Sequence, residues 1–274
     1  MSHKYGIMQG RLSKIDRGKI QSFPKRTWKN EFSKANKLGL KFIEWTLDYD
    51  DLDNNPIFSK KGQNKIKQLS KKYSIKINSL TGDCFMQKPF WKLNSNDKLI
   101  YDLIKIITSC KTLGIKFIVI PLVDNGSINT NKELNKFIKI CKNISKYLLD
   151  SKIKLIFESD YPPKKLKNFI NKFDARYFGI NYDVGNSASL NYDIDKEFNY
   201  YGKYICNIHI KDRLRNGKTI RLGMGNANFS KLFNNLKKIK YEGNLILQTA
   251  RSEKQQHMNE IKKNLNFLKN FNYA

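Results

Sequence analysis

Glu158, Asp183 and His209 each stand at the downstream end of a short apolar run: Leu155-Ile156-Phe157, Phe178-Gly179-Ile180-Asn181-Tyr182 and Ile205-Cys206-Asn207-Ile208. Gln248 follows a fourth, Asn244-Leu245-Ile246-Leu247. Two carboxylates, one imidazole and an amide oxygen make a mostly hard-oxygen set. It suits Mn²⁺, Mg²⁺ or Co²⁺ better than a structural zinc site, with Zn²⁺ an alternative ion. Each residue alone is a weak signal, since an acid after a strand is often a helix N-cap and a lone histidine is often a core residue. Four at successive strand ends point to one shared cation.

Strands that deliver such groups to one place must run parallel, and the chain alternates strand-like and helix-like segments throughout. Tyr5–Met8, Lys41–Trp45, Ile75–Leu80 and Phe117–Ile120 precede the four runs already named. Helical stripes separate them: Trp28, Phe32, Ala35 and Leu38 end at Gly39, and Leu99, Leu103, Ile106 and Cys110 end at Gly114. Thr130 and Glu133 form a capping box for the next stripe, and Ser252 with Gln255 is expected to cap the last. Eight βα units starting about 25–40 residues apart predict a single (β/α)8 TIM barrel over residues 1–274. A doubly wound sheet would usually carry a GxGxxG turn after its first strand, and Gly6 with Gly10 does not make one.

Composition narrows the class. The 274 residues are 40% hydrophobic and 12% aromatic, ample for a core. No apolar run reaches the ~20 residues that span a bilayer, and Gln9 and Arg11 interrupt the first apolar segment too early for a signal peptide. Cys84, Cys110, Cys141 and Cys206 show no CxxC spacing, which suits reduced thiols in a cytoplasmic protein. The net charge of +28 is carried mostly by lysine spread along every helix, beside abundant Asn and Ile. That pattern reads as compositional drift rather than a nucleic-acid groove, which would interleave basic and aromatic residues. It would still draw in an anionic small molecule.

Barrel geometry puts every strand-end residue on one rim. The remaining candidates for contacting a substrate are Gln9, Arg11, Glu44, Asp83, Asn186, Arg213 and Arg251, and Lys211 is a candidate acid–base group. Arg213, Arg215, Arg221 and Arg251 follow the seventh and eighth strands, where barrels often bind phosphate, and Gly223 and Gly225 would let backbone N–H groups approach an anion. Phe85, Phe90 and Trp91 suggest a lid, a pocket wall or the contact of a homodimer.

Over nearly its full length the chain resembles the sugar phosphate isomerase/epimerase family of xylose-isomerase-like TIM barrels. The resemblance rests on Met8-Gln9-Gly10-Arg11-Leu12 with Phe23-Pro24, Ile43-Glu44-Trp45, Phe157-Glu158-Ser159-Asp160, Asp183-Val184-Gly185-Asn186, Ile208-His209-Ile210-Lys211-Asp212-Arg213, Leu222-Gly223-Met224-Gly225-Asn226 and Leu247-Gln248-Thr249-Ala250-Arg251. It implies a divalent metal, manganese first, held by Glu158, Asp183, His209 and position 248, and a carbohydrate substrate, phosphorylated or not. In ketose epimerases of the family position 248 is a glutamate paired with Glu158 as base and acid. Here it is Gln248, which can ligate through oxygen but cannot accept a proton. Asn186 likewise replaces a common substrate-contacting histidine. Glu158 is left as the one base of a proton transfer through an enediolate, with Lys211, Asp83 or Glu44 to supply the second proton.

The main expectation is therefore a metal-dependent isomerase or epimerase of a sugar, sugar phosphate or sugar acid. A keto-polyol (inosose-type) dehydratase is the alternative, since it needs only one base. A catalytically reduced sugar-binding barrel is a third reading. A DNA-repair nuclease of the same superfamily would bind three zinc ions through many histidines, whereas His3 and His257 lie outside the strand-end set and leave only His209.

Overall fold

Ile118, Val119 and Ile120 are buried on both faces of their strand, as a parallel strand sandwiched between helices and a barrel lumen must be. A computed structural model of the chain describes residues 5–15, 18–93, 97–252 and 254–271; His3 lies outside them. Eight parallel strands close into a barrel: β1 Tyr5–Met8, β2 Phe42–Thr46, β3 Ser79–Thr81, β4 Phe117–Leu122, β5 Lys154–Ser159, β6 Phe178–Asp183, β7 Ile205–Ile210 and β8 Asn244–Leu247. Sequence order is spatial order, and β8 pairs with β1 to complete the ring. The helices are α1 Trp28–Lys37, α2 Lys60–Tyr73, α3 Asp83–Gln87, α4 Asp97–Leu113, α5 Asn131–Ser151, α6 Pro163–Ile170, α7 Val184–Ser189, α8 Ile194–Tyr201, α9 Phe229–Lys238 and α10 His257–Lys269. Among the described residues no helix is long and apolar enough to cross a membrane.

The punctuation read from sequence explains most of these bounds. Gly39 and Gly114 take φ of +73° just past α1 and α4, where a side chain would be strained. Thr130 and Glu133 make the reciprocal capping box that starts α5. Two boundaries differ most from expectation. The third strand begins at Ser79, with only an isolated bridge from Lys76 to Phe42, because its upstream half is still crossing from α2. The last helix starts at His257: Ser252 Oγ accepts from Gln256 N, and Gln255 sits at φ +55° in the turn before it.

Alternation along the strands builds two separate cores. Outward residues such as Phe157 and Tyr182 meet the helices: Phe137 of α5 packs against Phe90, Trp91, Phe157 and Phe169, and Tyr182 against Phe198. Phe85, Phe90 and Trp91 belong to this layer, each 2% exposed or less. They do not form a lid: Phe90 and Trp91 pack on Phe137 of α5, and Phe85 packs on Phe90. Inside the barrel Met8, Phe42 and Ile246 form a small apolar plug of their own. Above it the inward positions turn polar.

Candidate metal centre

On β7 the inward positions are Asn207, His209 and, one step beyond the strand, Lys211, while Ile208 and Ile210 face the helices. On β6 they are Asn181 and Asp183, and on β5 Glu158. Asp183 and His209 are register partners, so the two side chains stand side by side. The result is that one donor atom each from Glu158, Asp183 and His209 lies within 4.8 Å of the others, with all three side chains buried. His209 Nδ1 is 3.1 Å from Glu158 Oε2 and 3.9 Å from Asp183 Oδ2.

A closed ring of hydrogen bonds fixes these groups. His209 Nε2 lies 2.7 Å from Glu44 Oε1. Glu44 Oε2 accepts from Ser79 Oγ at 2.6 Å and from Asn207 Nδ2 at 2.9 Å. Asn207 Nδ2 also reaches Asn181 Oδ1 at 2.7 Å, and Asn181 Nδ2 donates to Glu158 Oε2 at 2.9 Å while lying 3.1 Å from His209 Nδ1. With Nε2–H committed to Glu44, the Nδ1 edge of the ring is the one that faces the carboxylates. Burial alone would lower the His209 pKa; Glu44 and Glu158 together reverse that and raise it to about 10.

Lys211 Nζ lies 3.0 Å from Asp183 Oδ2, 3.1 Å from Asn186 Oδ1 and 3.4 Å from Gln248 Oε1. Gln248 thus joins the cluster through the ammonium it shares with Asp183. Lys211 pairs with Asp183 rather than with its neighbour Asp212. Asn186 bridges further: its Nδ2 donates to Glu158 Oε1 at 2.7 Å, and its Oδ1 accepts from Arg213 Nη1 at 2.9 Å. Asp183 Oδ1 accepts from Asn186 N at 2.8 Å and so caps α7, leaving Oδ2 for the site.

The other rim candidates are more dispersed. Glu44, expected to meet substrate, is fully buried beneath His209, because it stands two residues before the end of β2. Asp83 opens α3 with Oδ2 sealed and unpartnered, and burial, with Asp48 and Glu158 nearby, raises its pKa to about 7. Gln9 Oε1 accepts from Thr46 N at 3.2 Å, and its Nε2 has no partner. Arg251 donates to Gly10 O at 2.6 Å and Ser13 O at 2.5 Å, and buried Glu31 accepts from Gly10 N, Leu12 N and Ser13 Oγ. Those two residues clamp the loop that carries Gln9 and Arg11.

After β7 the glycine amides expected to approach an anion are taken by a carboxylate of the chain itself. Gly223 N and Gly225 N both donate to Asp212 Oδ2 at 2.9 Å, and Ala227 N to Asp212 Oδ1 at 3.0 Å. Arg221 is held by Glu260, and Arg215 by Asn191. Asp212 is the chain's own anion in that loop.

The residues present fit a divalent cation by donor chemistry: two carboxylates and an imidazole edge, sealed from water and oriented by neighbours that leave those atoms facing one another. Asn181, Asn207 and Ser79 were not singled out from sequence. The available signal was a polar residue at an inward position of an otherwise apolar strand, the same signal that marks His209.

A family model described as xylose isomerase-like TIM barrel matches residues 32–271. Among solved structures the chain is similar to a xylose isomerase domain protein from Planctomyces limnophilus, with TM-score 0.76 and 12% identity over 98% of this chain and 96% of that one. It is similar to D-psicose 3-epimerase from Clostridium cellulolyticum H10, solved with D-tagatose, at TM-score 0.73 and 15% identity over 98% and 99% of the chains. It is also similar to the IOLI protein with a bound zinc atom, at TM-score 0.72 and 16% identity over 98% and 99%. No curated protein matches the sequence.

Proposed function

We propose a function from one premise: the chain belongs to the xylose isomerase-like TIM-barrel family. It acts as a divalent-metal-dependent isomerase or epimerase of a sugar, sugar phosphate or sugar acid. The observation that carries this reading is the buried meeting of Glu158, Asp183 and His209 within 4.8 Å, where barrel enzymes do their chemistry. Glu158, Asp183 and His209 would hold the ion, with the amide oxygen of Gln248 as the fourth ligand; Mn²⁺ suits this set first. When bound, the ion supplies polarisation of the substrate carbonyl and hydroxyl oxygens.

Glu158 is the base. Asn181 and Asn186 each donate to one of its oxygens and fix the plane of the carboxylate. It takes the proton from the carbon beside the carbonyl as the C–H electron pair moves toward the carbonyl oxygen. Lys211, held against Asp183 and Gln248, returns a proton on the other side. Reduced thiols and the lack of a membrane-crossing helix among the described residues suit a cytoplasmic enzyme.

Metal analysis of protein purified without chelators tests the ion, and solvent deuterium incorporation into ketoses tests the proton transfer. A ketose such as the D-tagatose bound by the Clostridium epimerase is a first probe. Exchange should vanish in Glu158→Gln; equal exchange in wild type and variant would remove Glu158 as base. Gln248 in place of a second carboxylate favours one other reading, loss of water from a keto-polyol, which would show as an unsaturated product rather than an isomer.

A further inference from the structure

Arg11 is 6% exposed, yet its guanidinium has one described partner: Nη1 donates to Ile20 O at 3.1 Å. Nε is sealed from solvent without an acceptor, and among the described residues no carboxylate lies within ion-pair distance of it. The charges that reach it are a second guanidinium, Arg251, and more favourably Asp83 and Asp183 from across the site. Glu31, the nearest other acid in effect, is committed to the amides of its own loop. Burial first, then Arg251, lower the Arg11 pKa to about 9. A buried cation with no carboxylate at ion-pair distance among the described residues is a costly state that proteins keep for a partner. Beside it, Gln9 Nε2 and Arg251 Nε are also sealed donors lacking an acceptor, on the β1 and β8 side of the rim.

We propose that Arg11 receives an anionic group of the substrate, so the carbohydrate handled at Glu158, Asp183 and His209 carries a carboxylate or a phosphoryl group. The inference rests on the reading of that site as a carbohydrate enzyme. It moves anion recognition to the β1 side, since Asp212 already occupies the amides of Gly223 and Gly225 and Glu260 occupies Arg221. Guanidinium geometry suits either anion, each offering two oxygens to its fork. The net charge of +28 would speed arrival of such a ligand.

Three matched polyols that lack an aldehyde or ketone separate the outcomes: D-glucitol, D-gluconate and D-glucitol 6-phosphate. Each is titrated calorimetrically into the full chain, both chelator-treated and loaded with Mn²⁺. One anion should bind about tenfold or more tightly than D-glucitol, and Arg11→Gln should erase that preference while Arg11→Lys keeps part of it. The favoured anion tells carboxylate from phosphoryl. Without ligand, Arg11→Gln should melt no lower than wild type, because it removes an uncompensated charge. Equal or absent binding of all three polyols overturns the proposal, as does a preference that survives in Arg11→Gln. A lower melting temperature in that variant overturns it too, by making Arg11 structural. Anion preference without any proton exchange would sink the isomerase reading alone; exchange into neutral ketoses without anion preference would sink this one alone.

Discussion

His209 Nε2 lies 2.7 Å from Glu44 Oε1, with both side chains wholly withdrawn from solvent. A glutamate three strands from β7 around the closed barrel therefore sets which edge of the imidazole faces Glu158 and Asp183. Glu44 touches neither the rim nor any group expected to react, so its effect is exerted through the ring it holds.

Glu44→Gln should weaken metal binding by about 10–100-fold, the usual loss when the partner of a ligating histidine is removed. Competition against a chelator of known affinity measures it. The amide would set its own donors against Ser79 Oγ or Asn207 Nδ2. Unchanged metal affinity would mean that the imidazole is oriented by Asn181 alone.

The Asp83 carboxyl gives a pH signature. Its pKa is raised from 3.8 to about 7, mainly by burial, so the folded chain holds this proton more tightly than the unfolded one. The associated stability is fully present below pH 3.8 and is lost as pH rises through 7. With a chelator present, Asp83→Asn should therefore gain on wild type between those pH values and hold a constant lead above them. The lead is at most on the order of 4 kcal/mol. Melting curves of both proteins across that range check it; a pH-independent difference would refute the assignment.

Gly185 faces Lys211 so closely that an added Cβ would stand 2.6 Å from Lys211 Cγ. Gly185→Ala should push the lysine off Asp183 and Gln248, lowering kcat about tenfold or more while metal affinity holds. Steady-state kinetics beside metal titration separates the two. A normal kcat would take Lys211 out of the proton transfer.

Phe137→Ala removes the hub of the aromatic layer and should cost about 3–5 kcal/mol in urea unfolding. Metal affinity of the folded fraction should not change, because the ring lies on the helix side of β5, away from Glu158. A small loss of stability would mean that Phe90 and Phe173 close the space.

The barrel was legible because its signals are local. Apolar strands, Gly39 and Gly114 at helix ends, and the Thr130–Glu133 box all act within a few residues of one another. The gathering of Glu158, Asp183 and His209 followed from placing strand ends on one rim. What sequence could not reveal was depth and competition. Nothing in Ile43-Glu44-Trp45 says that Glu44 ends beneath His209, because that depends on how far β2 runs beyond it. Nor could the Gly223–Gly225 stretch announce that its amides would be taken by Asp212, which a reversal of the chain brings back to them. Phe85, Phe90 and Trp91 looked available for a surface role only because Phe137, far along the sequence, was not yet beside them.

Glu44, His209, Glu158, Asn181 and Asn207 close a loop of contacts drawn from four different strands. Exchange of any one member strands a polar atom of the next, so descendants of this gene can hardly alter them singly. The set should pass down a lineage as a block, shared intact between cousins or replaced together, while the rim above it drifts freely toward new substrates.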